Sequence, residues 1–92
     1  MNKFESRQSR KELLYKEFRK RPKGATINEI INDLFSEAMD IYGRHVLSVL
    51  GWRYFVHLNK FPAVMEKDGS IQWTGEYRIG ETGHKEKVWK SV

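Results

Sequence analysis

The stretch EYRIGETGHKEKVWK, residues 76–90, decides between an all-helical protein and a mixed one. Apolar residues alternate with polar ones at both of its ends, through Tyr77 and Ile79 and then through Val88 or Trp89. This period of two predicts strands at about 76–79 and 86–91, joined by a loop over 80–85. The loop region is rich in glycine, lysine and glutamate. Because a hairpin turn needs only about two to five residues, the longer tip is either surplus chain or a surface for contact.

A first helix is predicted upstream of this hairpin from its start and stop signals. Ser9 and Glu12 have the spacing of a capping box, in which each side chain satisfies a free backbone N–H. Phe18 belongs to the apolar stripe that follows. Pro22 and Gly24 are expected to end the helix.

The second predicted helix has the clearest pattern in the chain. Thr26 and Glu29 form another capping box, and apolar residues then recur at i, i+3, i+4 and i+7 from Ile27 to Ile41. This spacing indicates a helix with one buried face. Gly43 is a suitable stop.

Residues 44–60 predict a third helix, which begins either at Arg44 or after a cap at Ser48 and is closed by Pro62. A helical wheel separates two sides. The expected inner side holds Leu47, Leu50, Gly51, Tyr54 and Leu58. The outer side holds Val49, Trp52, Arg53, Val56, Asn59 and Lys60. We expect Gly51 to allow close helix packing.

Beyond Pro62 the apolar period changes to two. Residues 63–66 and 71–73 are predicted to be short strands, joined by a tight turn at Asp68-Gly69 and followed by a break at Thr74-Gly75. In the last hairpin, Tyr77, Ile79 and Trp89 are expected to anchor the strands on the helices. The sequence therefore predicts helices followed by β-hairpins.

Composition narrows the class of protein. The 92 residues fit one domain and include no cysteine, which favours a reducing compartment. No apolar run approaches the roughly 20 residues of a membrane span, and the basic start lacks the hydrophobic segment of a secretory signal. We therefore expect a cytoplasmic protein, nucleoid-associated if prokaryotic, with no membrane partner.

Charge is distributed unevenly along this basic chain. The net charge is +5, and the pI is near 9.6. Residues 1–23 hold nine Lys or Arg against three acids, residues 24–43 hold four acids and no base, and residues 44–92 hold eight bases against five acids. Two basic segments flanking an acidic one favour an acidic partner such as nucleic acid.

Three helices followed by a basic C-terminal hairpin resemble the winged helix-turn-helix family over about residues 9–91. The resemblance rests on element order and on YRIGETGHKEKVWK, residues 77–90, as the wing. It implies an α+β fold with three helices and a small antiparallel hairpin sheet. Residues 1–8 would be a basic N-terminal arm before a single domain over residues 9–92. In that family the third helix enters the DNA major groove, and the wing contacts the backbone or the minor groove. The length of the predicted second helix departs from the family's pattern.

Candidate DNA contacts follow from this resemblance and from side-chain chemistry. Arginine suits guanine edges, asparagine suits adenine, and apolar groups suit the thymine methyl. Base contacts are therefore predicted for Arg53, Asn59 and Trp52. Phosphate contacts are predicted for Arg44, Lys60, Arg78, Thr82, His84, Lys85, Lys87, Arg19, Lys20, Arg21 and Lys23. The alternatives are that Trp52 and Val56 pack under the first hairpin or are buried in a dimer, and that the basic loop and the Arg19–Lys23 segment are only solvated.

An acidic stripe, formed by Glu29, Asp33, Glu37 and Asp40, lies on one face of the second helix. One interpretation is a charge match inside the chain, with cations from the first helix. The expected cations are Arg10, Lys16, Arg19 and Lys20. The others are a docking face for a basic protein and, least favoured, a metal site.

Nothing in the sequence has the pattern of a catalytic site. The serines lie in caps, turns or exposed positions, and no glycine-rich phosphate loop follows a strand. The three histidines, His45, His57 and His84, lack metal-ligand spacing. We expect no enzyme activity, cofactor, metal or small-molecule substrate.

The sequence thus predicts a double-stranded DNA-binding winged-helix protein, a small transcriptional regulator that acts as a homodimer. The alternative is a protein-interaction module of the same fold, for example a phage or mobile-element protein that docks a host protein through the acidic second helix or the Trp52 face. RNA binding is less favoured, because the aromatic residues are interpreted as core and not as a stacking platform.

Overall fold

Helices occupy the first two thirds of the chain, and an antiparallel hairpin follows them. A computed structural model describes residues 2–6 and 8–92, so Met1 and Arg7 of the predicted arm lie outside the described residues. The elements are α1 (Arg10–Arg19), α2 (Ile27–Tyr42), α3 (Val46–Val49), α4 (Trp52–Val56), α5 (Phe61–Lys67), β1 (Ile71–Ile79) and β2 (Lys85–Ser91). Two 3-10 turns lie at Gly43–His45 and His57–Lys60. The predicted α+β class is confirmed.

The first two helices begin and end where their local signals predict. Ser9 accepts a hydrogen bond from the Glu12 backbone N–H at 3.1 Å, which caps α1. The capping box of α2 is complete, because Thr26 accepts from the Glu29 N–H while the Glu29 carboxylate accepts from the Thr26 N–H. Gly43 ends α2 with a positive φ of 59°. These signals act over three or four residues, so sequence alone locates them well.

The third predicted helix is wrong as a single element, because the chain breaks at Gly51. Its φ of +81° lies in the left-handed region, and a new helix begins at Trp52. The expected close packing at Gly51 is also wrong, since a Cβ there would meet no atom within 4 Å. The break rotates the two halves relative to each other. Leu47, which the wheel places on the inner side, is therefore exposed, and Phe55, which the wheel assigns to neither side, is buried.

Residues 61–67 form α5, where the sequence pattern predicted a helix end and a strand. Pro62 lies in the first turn of α5, where its missing N–H costs no hydrogen bond. Pro62 and Met65 are both buried, which is the three-residue spacing of one helical face. Asp68 and Gly69 then close this helix and do not form a hairpin turn. The short apolar run was ambiguous between the two periods.

A single hairpin replaces the predicted succession of short strands. β1 and β2 are antiparallel, and Trp73 lies opposite Trp89 while Tyr77 lies opposite Lys87. Four positions of β1 therefore span two positions of β2, so the predicted break at Thr74-Gly75 is a β-bulge inside a continuous strand. Gly75 supplies a φ of +90° within the bulge.

The core joins the inner faces of the helices to the base of the hairpin. Its buried members include Leu14, Phe18, Ile30, Leu34, Phe55, Leu58, Met65, Ile71 and Trp89. Trp89 anchors the hairpin as predicted, whereas Tyr77 and Ile79 are 49% and 66% exposed and do not. The buried hairpin residues lie near its open end, so the distal part of the hairpin extends away from the core.

A short backbone bridge ties the hairpin to the segment between α1 and α2. Ala25 and Trp89 exchange two N–H···O hydrogen bonds, each 2.8 Å long. The preceding Gly24 has a φ of +91°, and a Cβ there would lie 2.8 Å from Val88 Cγ1 and 2.9 Å from the Trp89 carbonyl oxygen. Only glycine fits this approach without displacing the last strand.

The described part of the predicted N-terminal arm packs on the helical body. The Phe4 ring lies 6.0 Å from the Tyr54 ring, edge to face. Lys3 pairs with Glu37 at 2.5 Å and with Glu17 at 3.4 Å. Over residues 2–6 and 8–92, no helix is long and apolar enough to cross a membrane.

Because Gly24 lies so close to Val88 and Trp89, adding one methyl group at this position should strongly reduce the stability of the fold. Gly24→Ala combines a left-handed backbone with a steric clash, so we expect the free energy of unfolding to fall by about 3 kcal/mol. Urea unfolding followed by tryptophan fluorescence measures this loss. Gly69→Ala is the matched control, because Gly69 has a φ of +82° but no atom near its Cβ position, and it should cost only about 1 kcal/mol. Equal losses in the two variants would show that the approach to Trp89 is not constraining.

Candidate nucleic-acid interface

One side of the hairpin is buried at its base, through Ile71 and Trp89, and is exposed beyond it. The exposed part carries Trp73, Tyr77, Ile79, Lys85 and Lys87 and is here called the outer face. These residues share one side because cross-strand partners point the same way and alternate residues of a strand do too. The bulge brings two aromatic side chains together: the Trp73 and Tyr77 ring centroids are 5.2 Å apart. All five side chains are exposed, so they are available to a partner.

The two lysines of the outer face lie over aromatic rings. Lys87 Nζ is 5.0 Å from the Trp73 ring centroid and 5.6 Å from that of Trp89, and Lys85 Nζ is 5.8 Å from the Tyr77 centroid. A ring attracts an ammonium group through its quadrupole without cancelling its charge. Neither lysine has an ion pair among the described residues. Both cations are therefore oriented but still available to an anion.

The opposite side of the hairpin contacts the start of α2. Arg78 donates to both carboxylate oxygens of Glu29, at 2.6 and 2.8 Å, and Asn28 donates to the Glu86 carboxylate. Partial burial alone would raise the pKa of Glu29, but the Thr26 N–H and the Arg78 guanidinium outweigh it and lower this pKa. These contacts turn Glu86 away from the outer face. They also occupy Arg78, which the sequence assigned to phosphate.

In the basic segment at the end of α1, over residues 19–23, some side chains pair with carboxylates of the described chain and others do not. Glu17 is buried, and Lys20 Nζ, Lys3 Nζ and Arg21 Nη1 lie 2.9, 3.4 and 3.7 Å from its carboxylate oxygens. Arg21 also pairs with Asp33 at 2.5 Å. Two of the predicted phosphate contacts, Lys20 and Arg21, therefore already serve a carboxylate in the folded chain.

Six other predicted phosphate-binding cations have no ion pair within residues 2–6 and 8–92. They are Arg19, Lys23, Arg44, Lys60, Lys85 and Lys87. All six side chains are exposed. Thr82 and His84 are exposed too, in the five-residue tip that the Gly80 N–H closes by donating to the His84 carbonyl at 2.9 Å. The tip itself is thus an ordinary hairpin loop, and the strands are longer than predicted.

The predicted base-contacting residues lie on the surface of the broken third helical region. Arg53 is exposed in α4, and Asn59 is exposed in the following 3-10 turn. Trp52 is 60% exposed and meets the edge of the Phe35 ring at a centroid distance of 6.2 Å. The expectation that Trp52 packs under a first hairpin is wrong, because the residues predicted to begin that hairpin form α5.

Three members of the acidic stripe pair within the chain, but not with the expected cations. Glu29 pairs with Arg78, Asp33 with Arg21 and Glu37 with Lys3. Asp40 is exposed and has no ion pair in the described chain. The cations that pair with the acidic stripe therefore come from the N-terminus, the α1–α2 connection and the hairpin. Arg10, Lys16 and Arg19 of α1 form no ion pair with the stripe in the described chain.

Sequence reasoning missed Trp73 as a surface residue. Its only signal was the alternation of Ile71, Gln72 and Trp73, which places Trp73 on the same side as the buried Ile71. The bulge that follows Trp73 and its pairing with Trp89 depend on strand register, which the local pattern does not specify.

Comparisons of this chain with protein-family models, with curated proteins and with solved structures found no match. The described part of the chain holds no group of three or more His, Cys, Asp or Glu side chains that could bind a metal ion. The outer face and the exposed cations are therefore interpreted from their own geometry.

Burial of Glu17 among three cations predicts a specific pH dependence of stability. Burial alone would raise the pKa of Glu17, but Lys20 and Lys3 outweigh it and lower the pKa below its ordinary value of 4.5. A carboxyl group with a lowered folded pKa stabilises the protein above its unfolded pKa. That stability is lost as pH falls through the folded value. We expect Glu17→Gln to reduce the free energy of unfolding at pH 7 and to flatten its fall below about pH 4.5.

Urea unfolding at a series of pH values from 7 to 3 measures this effect. Glu12→Gln is the control, because Glu12 is an exposed carboxylate of the same helix without an ion pair among the described residues. Parallel pH profiles for wild type and Glu17→Gln would contradict a stabilising role for the ionised carboxylate.

Proposed function

We propose that this chain is a winged helix-turn-helix protein that binds double-stranded DNA and acts as a small transcriptional regulator. The observation that carries the proposal is the outer face, where aromatic rings orient Lys85 and Lys87 and no carboxylate of residues 2–6 and 8–92 pairs with them. Cations held in this way bind phosphates at a small entropic cost.

The arrangement of elements supports the proposal. The helices precede a single hairpin, which the Ala25 bridge fixes on the helical body. On this view the hairpin is the wing, and α4 with the following 3-10 turn is the reading segment. Arg53 and Asn59 are exposed there, and their side chains suit guanine and adenine edges. The Gly51 break makes this segment shorter than the single helix predicted from sequence.

The free cations set the expected salt dependence. Each neutralised phosphate contributes about −0.9 to the slope of log K against log salt, so six contacts give a slope of about −5. Fluorescence anisotropy with a random-sequence duplex at several salt concentrations tests this. Absence of binding at low salt, or binding that salt does not weaken, would contradict DNA binding.

Removing the outer-face lysines should weaken binding to every duplex alike. Phosphate contacts carry no sequence information, so Lys85→Ala and Lys87→Ala should each reduce the steepness of the salt slope by about one. Lys67→Ala removes the same charge from the end of α5 and should leave the slope unchanged. Identical effects from all three substitutions would mean that net charge, and not the outer face, sets the affinity.

Arg53→Ala should behave differently from the lysine variants. If Arg53 contacts a guanine edge, its loss costs about 1–3 kcal/mol on a preferred site and little on random DNA. Selection from a random duplex library supplies the preferred site, and anisotropy measures both affinities. An equal loss on both sequences would show that Arg53 contacts only the backbone.

A second candidate function is protein docking or dimerisation through the Trp52 surface. Trp52 is well exposed beside Phe35, and Val49 and Val56 of the same region are exposed too. An exposed tryptophan with apolar neighbours is a common feature of interaction surfaces. This candidate replaces the first if the lysine variants leave DNA binding unchanged while Trp52→Ala abolishes a dimer or a protein complex.

A further inference from the structure

We propose that the outer face binds unpaired nucleotides beside a duplex, with bases stacked on Trp73 and Tyr77 and phosphates on Lys85 and Lys87. The inference rests on the proposed nucleic-acid binding and specifies which part of the nucleic acid the hairpin contacts. It replaces the sequence-based interpretation of these aromatics as core residues, since Trp73 is 38% exposed and Tyr77 is more exposed still.

The bulge in β1 assembles the aromatic pair. In a regular strand, residues four positions apart lie about 13 Å from each other. The bulge places Trp73 and Tyr77 at successive positions along one side of β2, and their ring centroids are 5.2 Å apart. The Trp73 indole N–H donates to the Glu76 carbonyl at 2.9 Å, within the same bulge. The indole is therefore oriented, and its polar atom is already satisfied.

The combination of groups selects the ligand. Exposed aromatic side chains are unfavourable in water unless a partner covers them, and Ile79 extends the apolar surface toward the tip. Two cations beside them require that the partner be anionic. A planar base carrying a phosphate satisfies both demands, and aromatic stacking with basic side chains is the usual way to bind single strands.

Double-stranded DNA can contact the lysines of the outer face but cannot stack its bases on the aromatic rings. A duplex presents its phosphates to the lysines but keeps the faces of its bases stacked inside the helix, so the aromatic pair would stay in water. Nucleotides at a single-stranded extension present both a phosphate and an open base face. Glu86, the acid of β2, contacts Asn28 on the other side of the hairpin, so its carboxylate lies on the side opposite the lysines.

The test compares a blunt duplex with the same duplex carrying a six-nucleotide single-stranded extension, at either the 3′ or the 5′ end. Because stacking contributes about 1–3 kcal/mol per base and about 1.4 kcal/mol is tenfold in affinity, one extended duplex should bind about tenfold tighter. An extension of six abasic sites keeps the phosphates without the bases and should add little. Anisotropy at constant salt measures each affinity.

Variants identify the residues responsible. Trp73→Leu and Tyr77→Leu should each bring the ratio of extended-duplex to blunt-duplex affinity from about ten to about one. Because these rings also orient Lys87 and Lys85, the blunt-duplex affinity should fall as well, and the ratio is the quantity that tests stacking. Trp52→Leu, which removes an exposed tryptophan from α4, should keep the preference. Tyr77 lies outside the buried core, so its variant keeps the test valid if Trp73→Leu does not fold.

The outcomes separate this inference from the proposed function. Equal affinity for blunt, abasic and extended duplexes would overturn the inference while duplex binding stands. Binding of the extended duplex and of a free single strand, without binding of the blunt duplex, would overturn the duplex proposal and support the inference. A dimer that Trp73→Leu disrupts, with DNA affinity unchanged, would assign the outer face to a second copy of the chain and overturn the inference.

Discussion

Two backbone hydrogen bonds between Ala25 and Trp89 connect the two parts of this fold. Ala25 lies in the connection between α1 and α2, and Trp89 lies near the end of the chain, so the bridge joins segments far apart in sequence. It requires Gly24, because a Cβ there would meet Val88 and the Trp89 carbonyl. With the base of the hairpin fixed in this way, β1 and β2 project from the core, and their outer face is directed to solvent. The exposure of the outer face depends on that placement.

Nine basic residues of the described chain contact either a carboxylate or an aromatic ring, and the two kinds of contact differ physically. Carboxylates pair with Lys3, Lys11, Lys20, Arg21 and Arg78, and these pairs fasten the N-terminus, α1, α2, the α5 end and the hairpin to one another. Aromatic rings instead orient Arg10, Arg19, Lys85 and Lys87. A carboxylate cancels the charge of its partner, whereas a ring preserves it. The acidic stripe thus helps to hold the fold together, and the charge that remains for a partner lies elsewhere.

The sequence predicted those features that local chemistry determines. The caps at Ser9 and Thr26 and the stop at Gly43 were correct, because each depends on neighbouring residues. Gly51 was not recognised as a helix break, since glycine is tolerated inside helices as well as between them. The pattern after Pro62 predicts a strand where α5 forms, because a short apolar segment fits both the strand period and the helix period. Predicting which residues form the outer face requires the register of β1 against β2. This register depends on the bulge between Trp73 and Tyr77, which the sequence pattern does not reveal.

The central claim is that the outer face of the hairpin is the surface that contacts nucleic acid. The chain contains three tryptophans. Trp73 lies on the outer face, Trp52 lies on the surface of α4, and Trp89 is buried opposite Trp73, so a ligand on the outer face can shift the indole N–H resonances of Trp73 and Trp89 but not that of Trp52. A heteronuclear NMR titration with a duplex carrying a single-stranded extension observes all three in one sample, after assignment by Trp→Phe variants. If nucleic acid binds the outer face, the Trp73 indole resonance should shift progressively and saturate. An unchanged Trp73 resonance, with only Trp52 shifting or none of the three, would contradict it.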